Sequence, residues 1–508
     1  MASNIALGSP LQNSRLEGLP CLIQHNVLTM LDLCDIDSLA RASPVLYQLV
    51  KRDRASLIYR RLKSTLGSVL VDAYAAYQTS FPPWTDSIRD LPVVEPFLES
   101  YANSLRFDKP GPSIDDLGEK AIIGMWTFHT TIVEPLIDVY ARMTLEKLSS
   151  HLEVKNNIAY VGNWIPDGDG PDVSSPEPPL SPTERMRILR AMYRFQLHGH
   201  IFGSQGRTRP RFEDDPYVSI DDVTRLFFNL FEPWEFEEIA SFEHHAYHVW
   251  NAICMTFGDE IRETSPLFEF VSPPAGKRLM EPCELLNPPP PLFFVPSSPS
   301  LSNSRYLPWP ICLTTRGSSL GVMDHVVAGT VSRGLRPLHA ISFVGGDAAK
   351  RIKVMHEVLA WPTIEFNCIS IWWSRYFLRY RKHNPTERDW KEVRGDRLPF
   401  NGDGESDELH PRPPAAWVML WRGRYSNVRS VHWQLHDWGY VMWDKERIDA
   451  TGAGKILYDY IVEHSGFGTI DYPSSEEDGY DSWLDDEVEF EETGSGHSLS
   501  RQTSSADV

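Results

Sequence analysis

The sequence lacks the cysteine spacing that disulfide frameworks and structural zinc sites require. Its six cysteines are spread over 508 residues, and no two of them form a Cys-x-x-Cys pair. No glycosylation acceptor occurs either, because Pro385 stands between Asn384 and Thr386. Residues 1–18 have no secretory-leader pattern, and no run of about 18 apolar residues is present. We therefore expect no membrane partner and a location in the reducing cytoplasm or nucleus.

Negative charge is concentrated near the C-terminus. Residues 463–500 contain 12 acidic residues and neither lysine nor arginine. Removing these 12 charges from the formal total of −20 leaves −8 for the rest of the chain. A mildly acidic body is a poor general ligand for phosphate backbones, so we expect no nucleic-acid partner.

Two glycine-containing segments resemble nucleotide-binding loops but are incomplete. Residues 452–456 lack the first glycine of a phosphate-binding loop, and Ile456 stands where a serine or threonine would hold magnesium. Residues 344–347 lack the three spaced glycines of a dinucleotide fingerprint. We therefore expect a protein that is not an enzyme, with no catalytic residue and no cofactor.

Composition shifts divide the chain into six parts. These are a disordered start at 1–15, a helical module at 16–65, a helical body at 66–272 with a loop at 162–183, a Pro/Ser-rich linker at 273–310, a Trp-rich C-terminal region at 311–462 and an acidic disordered tail at 463–508.

The fold class is expected to be mainly α. Ser181 and Pro182 predict the start of a helix that runs to about Phe202. Pro233 predicts the start of another, and helical spacing also covers 114–152, 219–230, 350–360 and 369–383. Residues 417–443 combine five tryptophans with short apolar runs, which favours short strands or irregular turns. The C-terminal region is therefore predicted to be mixed α/β or irregular.

The segment from Leu16 to Leu62 predicts three helices in succession. Pro20 suits the first position of a helix whose apolar face contains Ile23, Val27, Leu28 and Leu31. Asp35 predicts the cap of a second helix, and Ser43 followed by Pro44 predicts the start of a third. A unit of this size has a small core and needs a partner or a neighbouring domain.

This segment resembles an F-box. The matching residues are Leu19, Pro20, Ile23, Leu28, Leu31, Asp35, Leu39, Ser43 and Tyr47. The sequence departs from the family pattern at residues 21–24, where Cys-Leu-Ile-Gln replaces the usual Glu-Ile. The resemblance implies that Leu19, Pro20, Ile23, Leu28 and Leu31 contact a Skp-family adaptor of a cullin-type ubiquitin ligase. The chain would then be a substrate receptor whose second partner is an unknown target protein.

Two further segments, residues 230–235 and 436–444, are similar to those of uncharacterised fungal proteins that pair an F-box-like start with a long helical body. That group implies no known reaction. Two alternatives to the receptor remain. One is a helical scaffold or interaction protein with no ligase link, in which the first helices are ordinary core. The other is an enzyme with a site in the Trp-rich region.

Three groups of side chains have both a functional and a structural interpretation. His244 and His248 lie one helical turn apart and could reach one metal, but no third ligand is evident, so the pair is predicted to be surface or core histidines with no metal. The basic residues of 51–63 are expected to be the solvated face of the third helix. The tryptophans between Trp361 and Trp443 are expected to build core more than a ligand groove.

Overall fold

The computed structural model describes residues 15–31, 33–82, 84, 91–105, 111–154, 179–203, 220–264, 326–345, 347–359, 402–403, 412–420 and 433–465. Most of these residues lie in helices or in the turns that join them, and none of them lies in a strand. The prediction of a mainly α fold is therefore confirmed for the described part of the chain.

The helices are numbered here in chain order. They are α1 (Cys21–Met30), α2 (Leu33–Ala42), α3 (Pro44–Leu66), α4 (Leu70–Gln78), α5 (Leu91–Leu105), α6 (Ile114–Phe128), α7 (Glu134–Val154), α8 (Pro182–Phe202), α9 (Ile220–Leu226), α10 (Pro233–Thr264), α11 (Leu335–Ser342), α12 (Ala348–Val358), α13 (Ala415–Leu420), α14 (Trp433–Asp437), α15 (Lys445–Thr451) and α16 (Ala453–Ser465). Residues 326–331 form a further helical turn.

Helices α1 to α3 occupy the segment for which the sequence predicts three helices, with two differences at helix starts. The Ser43 side chain accepts a hydrogen bond from the Leu46 amide at 3.2 Å and Pro44 is the first helical residue, as predicted. Pro20, however, caps α1 instead of opening it, and Asp35 lies inside the first turn of α2. A carboxylate in a first turn still stabilises the helix through the helix dipole.

Helix α3 contributes to two cores. Near its start, Leu49 packs with Leu28 and Ile36 in a small cluster of its own. Further along, Leu62 and Leu66 belong to the large core of the body. The helix is continuous across the predicted boundary at residue 65, so the N-terminal helices join the body through a helix and not through a linker.

Helix α5 has no counterpart among the individual helices predicted from the sequence. Pro96 lies inside it, where it removes one backbone donor. Burial of Val94, Leu98 and Tyr101 against the core offsets that cost. Tertiary packing here overrides local propensity.

Helix α6 is kinked at Gly118, whose φ is +70°, and it is followed by α7. Ser113 caps α6 in a reciprocal arrangement with Asp116, and a single π-helical turn, His129–Val133, joins the two helices. The predicted helical range 114–152 is thus confirmed, with a local widening that turns the His129 side chain into the core.

Helix α8 lies at the centre of the fold, against α4 and α10. Ser181 accepts a hydrogen bond from the Glu184 amide at 3.1 Å, and the Glu184 carboxylate accepts one from the Ser181 amide at 3.0 Å. Pro182 is the first helical residue, as predicted. Every residue from Ala191 to Phe202 is buried, so this helix is surrounded on all sides and not amphipathic.

Two glycines allow another segment to approach the end of α8. A Cβ atom on Gly203 would lie 1.9 Å from the Ser332 carbonyl oxygen, and one on Gly199 would lie 2.8 Å from it. The chain then turns at Gly334, whose φ of +87° suits glycine, and the Leu335 amide donates to the Gln196 side chain at 2.6 Å. These contacts place α11 beside α8.

The described part of the Trp-rich region consists of short helices and turns. The predicted strands are absent from residues 412–420 and 433–462, where α13 to α16 and a 3₁₀ turn, Tyr440–Met442, are found instead. Trp417, Trp438 and Trp443 are all buried, which confirms the core interpretation for these three. The buried indoles stabilise elements that are too short to be stable alone.

Several predicted features lie outside the described residues. They are the disordered start up to residue 14, the loop at 162–178, the linker at 273–310, the helix at 369–383 and the tail beyond 465. The tail's predicted first residues, 463–465, belong to α16. None of the described helices is long and apolar enough to cross a membrane.

Candidate functional sites

Helix α1 has apolar side chains on two opposite faces. Leu28 has 0% of its surface exposed and lies in the small core with α2 and α3. Leu22 is 69% exposed and Met30 is 85% exposed. At 100° per residue, Leu22, Ile23 and Met30 fall within about 100° of one another and about opposite Leu28. The second face therefore presents aliphatic side chains to solvent.

The five residues predicted to contact an adaptor divide between these faces. Leu19, Pro20 and Ile23 are exposed, as a contact surface requires. Leu28 is part of the core and Leu31 is half-buried against it. Around α1, Ile23 lies about 140° from Leu28, so it stands at the solvent edge of the predicted apolar face.

Leu22 and Met30 are surface residues that sequence reasoning missed. The helical period of the sequence could have identified them, because positions 22 and 30 lie on the same side of α1 as position 23 once the helix extends to Met30. Half of the twelve large apolar side chains that are exposed among the described residues lie between 19 and 47. They are Leu19, Leu22, Ile23, Met30, Val45 and Tyr47.

Polar contacts fix α1 against its neighbours. The Gln24 side-chain amide donates to the carbonyl oxygens of Leu16 and Glu17 at 3.1 Å and 2.9 Å, which fastens the segment before α1. His25 Nδ1 lies 3.0 Å from the Asp53 carboxylate on α3. A hydrogen bond from Arg52 lowers the pKa of Asp53, so this carboxylate stays charged opposite His25.

The basic residues of α3 are solvated, as predicted. Their side chains all belong to exposed residues: Lys51, Arg52, Arg54, Arg60, Arg61 and Lys63. Arg52 pairs with Asp53 at 2.8 Å, and an exposed pair of this kind contributes at most about 1 kcal/mol.

The residues that resemble a phosphate-binding loop join two helices instead. Gly452 ends α15 with a φ of +78°, and α16 begins at Ala453. The Lys455 amide donates to the Gly452 carbonyl at 3.0 Å, so this backbone is engaged in a helix start.

The histidine pair of α10 meets a third polar group that the sequence did not indicate. His244 Nε2 lies 2.9 Å from Asp437 Oδ1, and His248 Nε2 lies 3.0 Å from His244 Nε2 and 3.5 Å from the same Asp437 oxygen. Asp437 ends α14, 193 residues away from His244. No local spacing could have identified a ligand that only the folded chain brings to the pair.

Burial and neighbouring charges set the protonation of this cluster. Burial lowers the pKa of both His244 and His248, so the neutral rings are favoured. Burial alone would raise the pKa of Asp437, but the hydrogen bond with His244 and the charge of Lys147 hold it well below its usual value. The cluster therefore combines a carboxylate with two neutral imidazoles.

A second polar cluster lies wholly inside the body. Arg194 Nε is 3.1 Å from Asp72 Oδ1 and its Nη1 is 2.7 Å from Glu235 Oε1, and all three side chains are buried. The Tyr101 hydroxyl donates to the same Asp72 oxygen, and the Arg194 guanidinium lies 4.2 Å from the centre of the Phe231 ring. These contacts join α4, α5, α8 and α10.

Arg190 extends this cluster by one helical turn. It donates two hydrogen bonds to the Glu238 carboxylate, at 2.8 Å and 2.6 Å. Burial nevertheless raises the pKa of Glu238, whereas Arg194 and Arg190 outweigh burial and lower the pKa of Glu235. Since every group faces a partner across helices, the arrangement is that of a structural ion-pair network, and it leaves no exposed group for a substrate.

The sequence also contains one short motif that is typical of serine hydrolases. Residues 317–321, Gly-Ser-Ser-Leu-Gly, match the Gly-x-Ser-x-Gly pattern of a nucleophile elbow. That pattern has meaning only on a strand–turn–helix, and residues 301–325 lie outside the described part of the chain.

Comparison with known proteins finds no matching family model, no matching curated protein and no matching solved structure.

Proposed function

We propose that this chain is an F-box-like substrate receptor. In this proposal α1 docks onto a Skp-family adaptor of a cullin-type ubiquitin ligase, and the helical body holds a target protein. The chain contributes no catalytic side chain in this role. It raises the effective concentration of the target near a ubiquitin donor that another subunit supplies.

The observation that carries the proposal is the second apolar face of α1. A helix that only completed the local core would bury its apolar face and present polar residues to water. Helix α1 buries Leu28 and still presents Leu22 and Met30, each more than two-thirds exposed. An amphipathic helix with apolar anchors at this spacing fits a groove on a partner.

The continuity of α3 supports the same role. Leu28 of α1 packs against α2 and against Leu49 and Leu57 of α3, while Leu62 and Leu66 at the end of α3 are buried in the main core. An adaptor bound to α1 would therefore be held at a fixed position relative to the body. Fixed geometry is what a receptor needs to place a target lysine within reach of a second subunit.

The proposal is tested by measuring the affinity of the purified full chain for a Skp-family adaptor. The double variant Leu22→Ala/Ile23→Ala removes apolar side chains from the outward face without touching the core. We expect wild-type binding, and a loss of roughly ten-fold or more in the variant.

The matched control is Met255→Ala/Tyr458→Ala, which removes exposed apolar side chains from α10 and α16. This control is expected to bind the adaptor as the wild type does. If the wild type does not bind, or if both double variants lose affinity equally, the receptor proposal is wrong and the N-terminal helices are ordinary structure.

A further inference from the structure

We propose that His244, His248 and Asp437 form a binding site for one divalent cation of the zinc class. The three ligating atoms would be Nε2 of each histidine and Oδ1 of the aspartate, which all lie within 4.8 Å of one another. The site is independent of the adaptor surface, since it lies on α10 and α14.

The spacing of these atoms fits a small metal ion. Their separations are 2.9 Å, 3.0 Å and 3.5 Å. Atoms bound to zinc at ~2.0–2.1 Å in a tetrahedron are about 3.3 Å apart. The circle through the three atoms has a radius of about 1.8 Å, so one point lies at zinc-binding distance from all of them.

Hydrogen bonds among these three ligating atoms are less favourable than their joint contact with a cation would be. Each neutral imidazole offers Nε2 either as a donor or as an acceptor, and the carboxylate only accepts. If His244 Nε2 carries a hydrogen and donates it to Asp437, His248 Nε2 has two options. It can carry a hydrogen too, which then lies close to the hydrogen of His244. Otherwise it is unprotonated, and its lone pair faces the Asp437 oxygen. If His244 Nε2 accepts, it turns its lone pair toward Asp437 at 2.9 Å. A cation at the centre makes all three lone pairs favourable at once.

The donor set selects the kind of cation. Two imidazole nitrogens and one carboxylate oxygen suit zinc and its neighbours, whereas magnesium and calcium prefer oxygen alone. Histidines at positions i and i+4 of one helix are a common zinc-ligand spacing. Three protein ligands leave a fourth position for water.

Among the described residues, Lys147 is a cationic side chain that lies against the Asp437 carboxylate. Its Nζ lies 3.5 Å from Asp437 Oδ1, and the side chain is 31% exposed. A metal ion would replace Lys147 at this oxygen, and the lysine can turn into solvent because it is partly exposed. His248 is likewise 31% exposed, which gives the ion a route of entry.

A metal here would fasten the C-terminal segment to the body. Its ligands would connect α10 and α14, which are separated by 193 positions at His244 and Asp437. A link across so long a loop restricts the unfolded chain strongly. We therefore expect the ion to raise the thermal stability of the protein and not to serve adaptor binding.

The test is a titration of chelator-treated full-length protein with Co²⁺, followed by displacement with Zn²⁺. We expect one Co²⁺ per chain, with the intense visible absorption of a four-coordinate site, and a higher midpoint of thermal unfolding with Zn²⁺. Mg²⁺ is expected to produce neither effect. His248→Ala removes a partly exposed ligand, and Asp437→Asn removes one with little change of shape, so each should weaken Co²⁺ binding at least ten-fold.

His356→Ala is the matched control, since His356 is an exposed histidine on α12. It should bind Co²⁺ as the wild type does. Sub-stoichiometric Co²⁺ in the wild type, or equal Co²⁺ affinity in the wild type and in both ligand variants, would show that the three groups are a hydrogen-bonded cluster and overturn the proposal.

Discussion

Arg194 and Asp72 meet inside the protein at 3.1 Å, although 122 residues separate them in the sequence. Both side chains are almost completely buried. The contact joins α8 to α4, and Glu235 adds a second carboxylate from α10 at 2.7 Å. Such a network contributes little net stability when intact, because desolvation opposes the attraction, but breaking it leaves charges buried without a partner.

Arg194→Met is expected to destabilise the fold by about 3–5 kcal/mol, since it removes the cation that faces the buried Asp72 carboxylate and leaves Glu235 with the longer contact to Arg190, at 3.5 Å. The control is Arg225→Met, which removes an exposed arginine from its pairs with Glu95 and Asp222 and should cost at most about 1 kcal/mol. Urea unfolding of the full chain measures both. Similar values for the two variants would mean that the buried network has no special role.

Leu28→Ala should destabilise the N-terminal helices by about 2–5 kcal/mol, because it leaves a cavity between α1, α2 and α3. Leu22→Ala, six residues earlier on the outward face, should change the stability of the isolated chain by less than about 0.5 kcal/mol. Amide hydrogen exchange of α1 to α3 reports both effects locally. A large loss of protection in Leu22→Ala would place this side chain in a core, against the proposed docking surface.

The stability of the fold should fall as the pH is lowered from about 6.5 to about 4, partly because of His129. Burial lowers the pKa of His129 to about 4. A histidine in the unfolded chain binds a proton near pH 6.5. Between pH 6.5 and about 4 the unfolded chain therefore binds a proton that the folded chain does not bind, and this lowers the free energy of unfolding. The full effect is about 3 kcal/mol for a shift of this size.

The pH effect of His129 is checked with His129→Gln, which removes the titrating group and keeps a polar side chain near the Tyr193 hydroxyl, 3.2 Å from the histidine. The free energy of unfolding of this variant should depend less on pH between 4 and 6.5 than that of the wild type. An unchanged pH dependence would mean that other groups account for the whole effect.

Some helix starts could be predicted from neighbouring residues, whereas helices that depend on long-range packing could not. Ser43 and Ser181 cap their helices as their sequence contexts indicate, because a cap depends on the next three residues only. Helix α5 was missed because Pro96 inside it opposes a helix, and burial against the core offsets that cost. Of the short strands or irregular turns predicted for residues 417–443, strands are absent where the structure describes this segment, because aromatic, apolar runs of a few residues suit buried helical turns equally well.

The candidate sites likewise combine features that the local sequence indicates with features that only the tertiary structure reveals. The resemblance assigned Leu19, Pro20, Ile23 and Leu28 alike to the contact surface; the first three are exposed but Leu28 is buried, because an apolar pattern does not say which residues the folded chain leaves at its surface. Asp437 could not be connected with His244 and His248 by any spacing, since 193 positions separate it from His244, and among the described residues the helices α11 to α13 lie between them. Only the tertiary structure brings that ligand set together.

The most direct test of the docking surface is hydrogen–deuterium exchange of the full chain with and without a Skp-family adaptor. The receptor account predicts slower exchange in residues 19–31 when the adaptor is added, with little change in α8 and α10. Unchanged exchange in residues 19–31, or protection that appears only elsewhere in the chain, would contradict it.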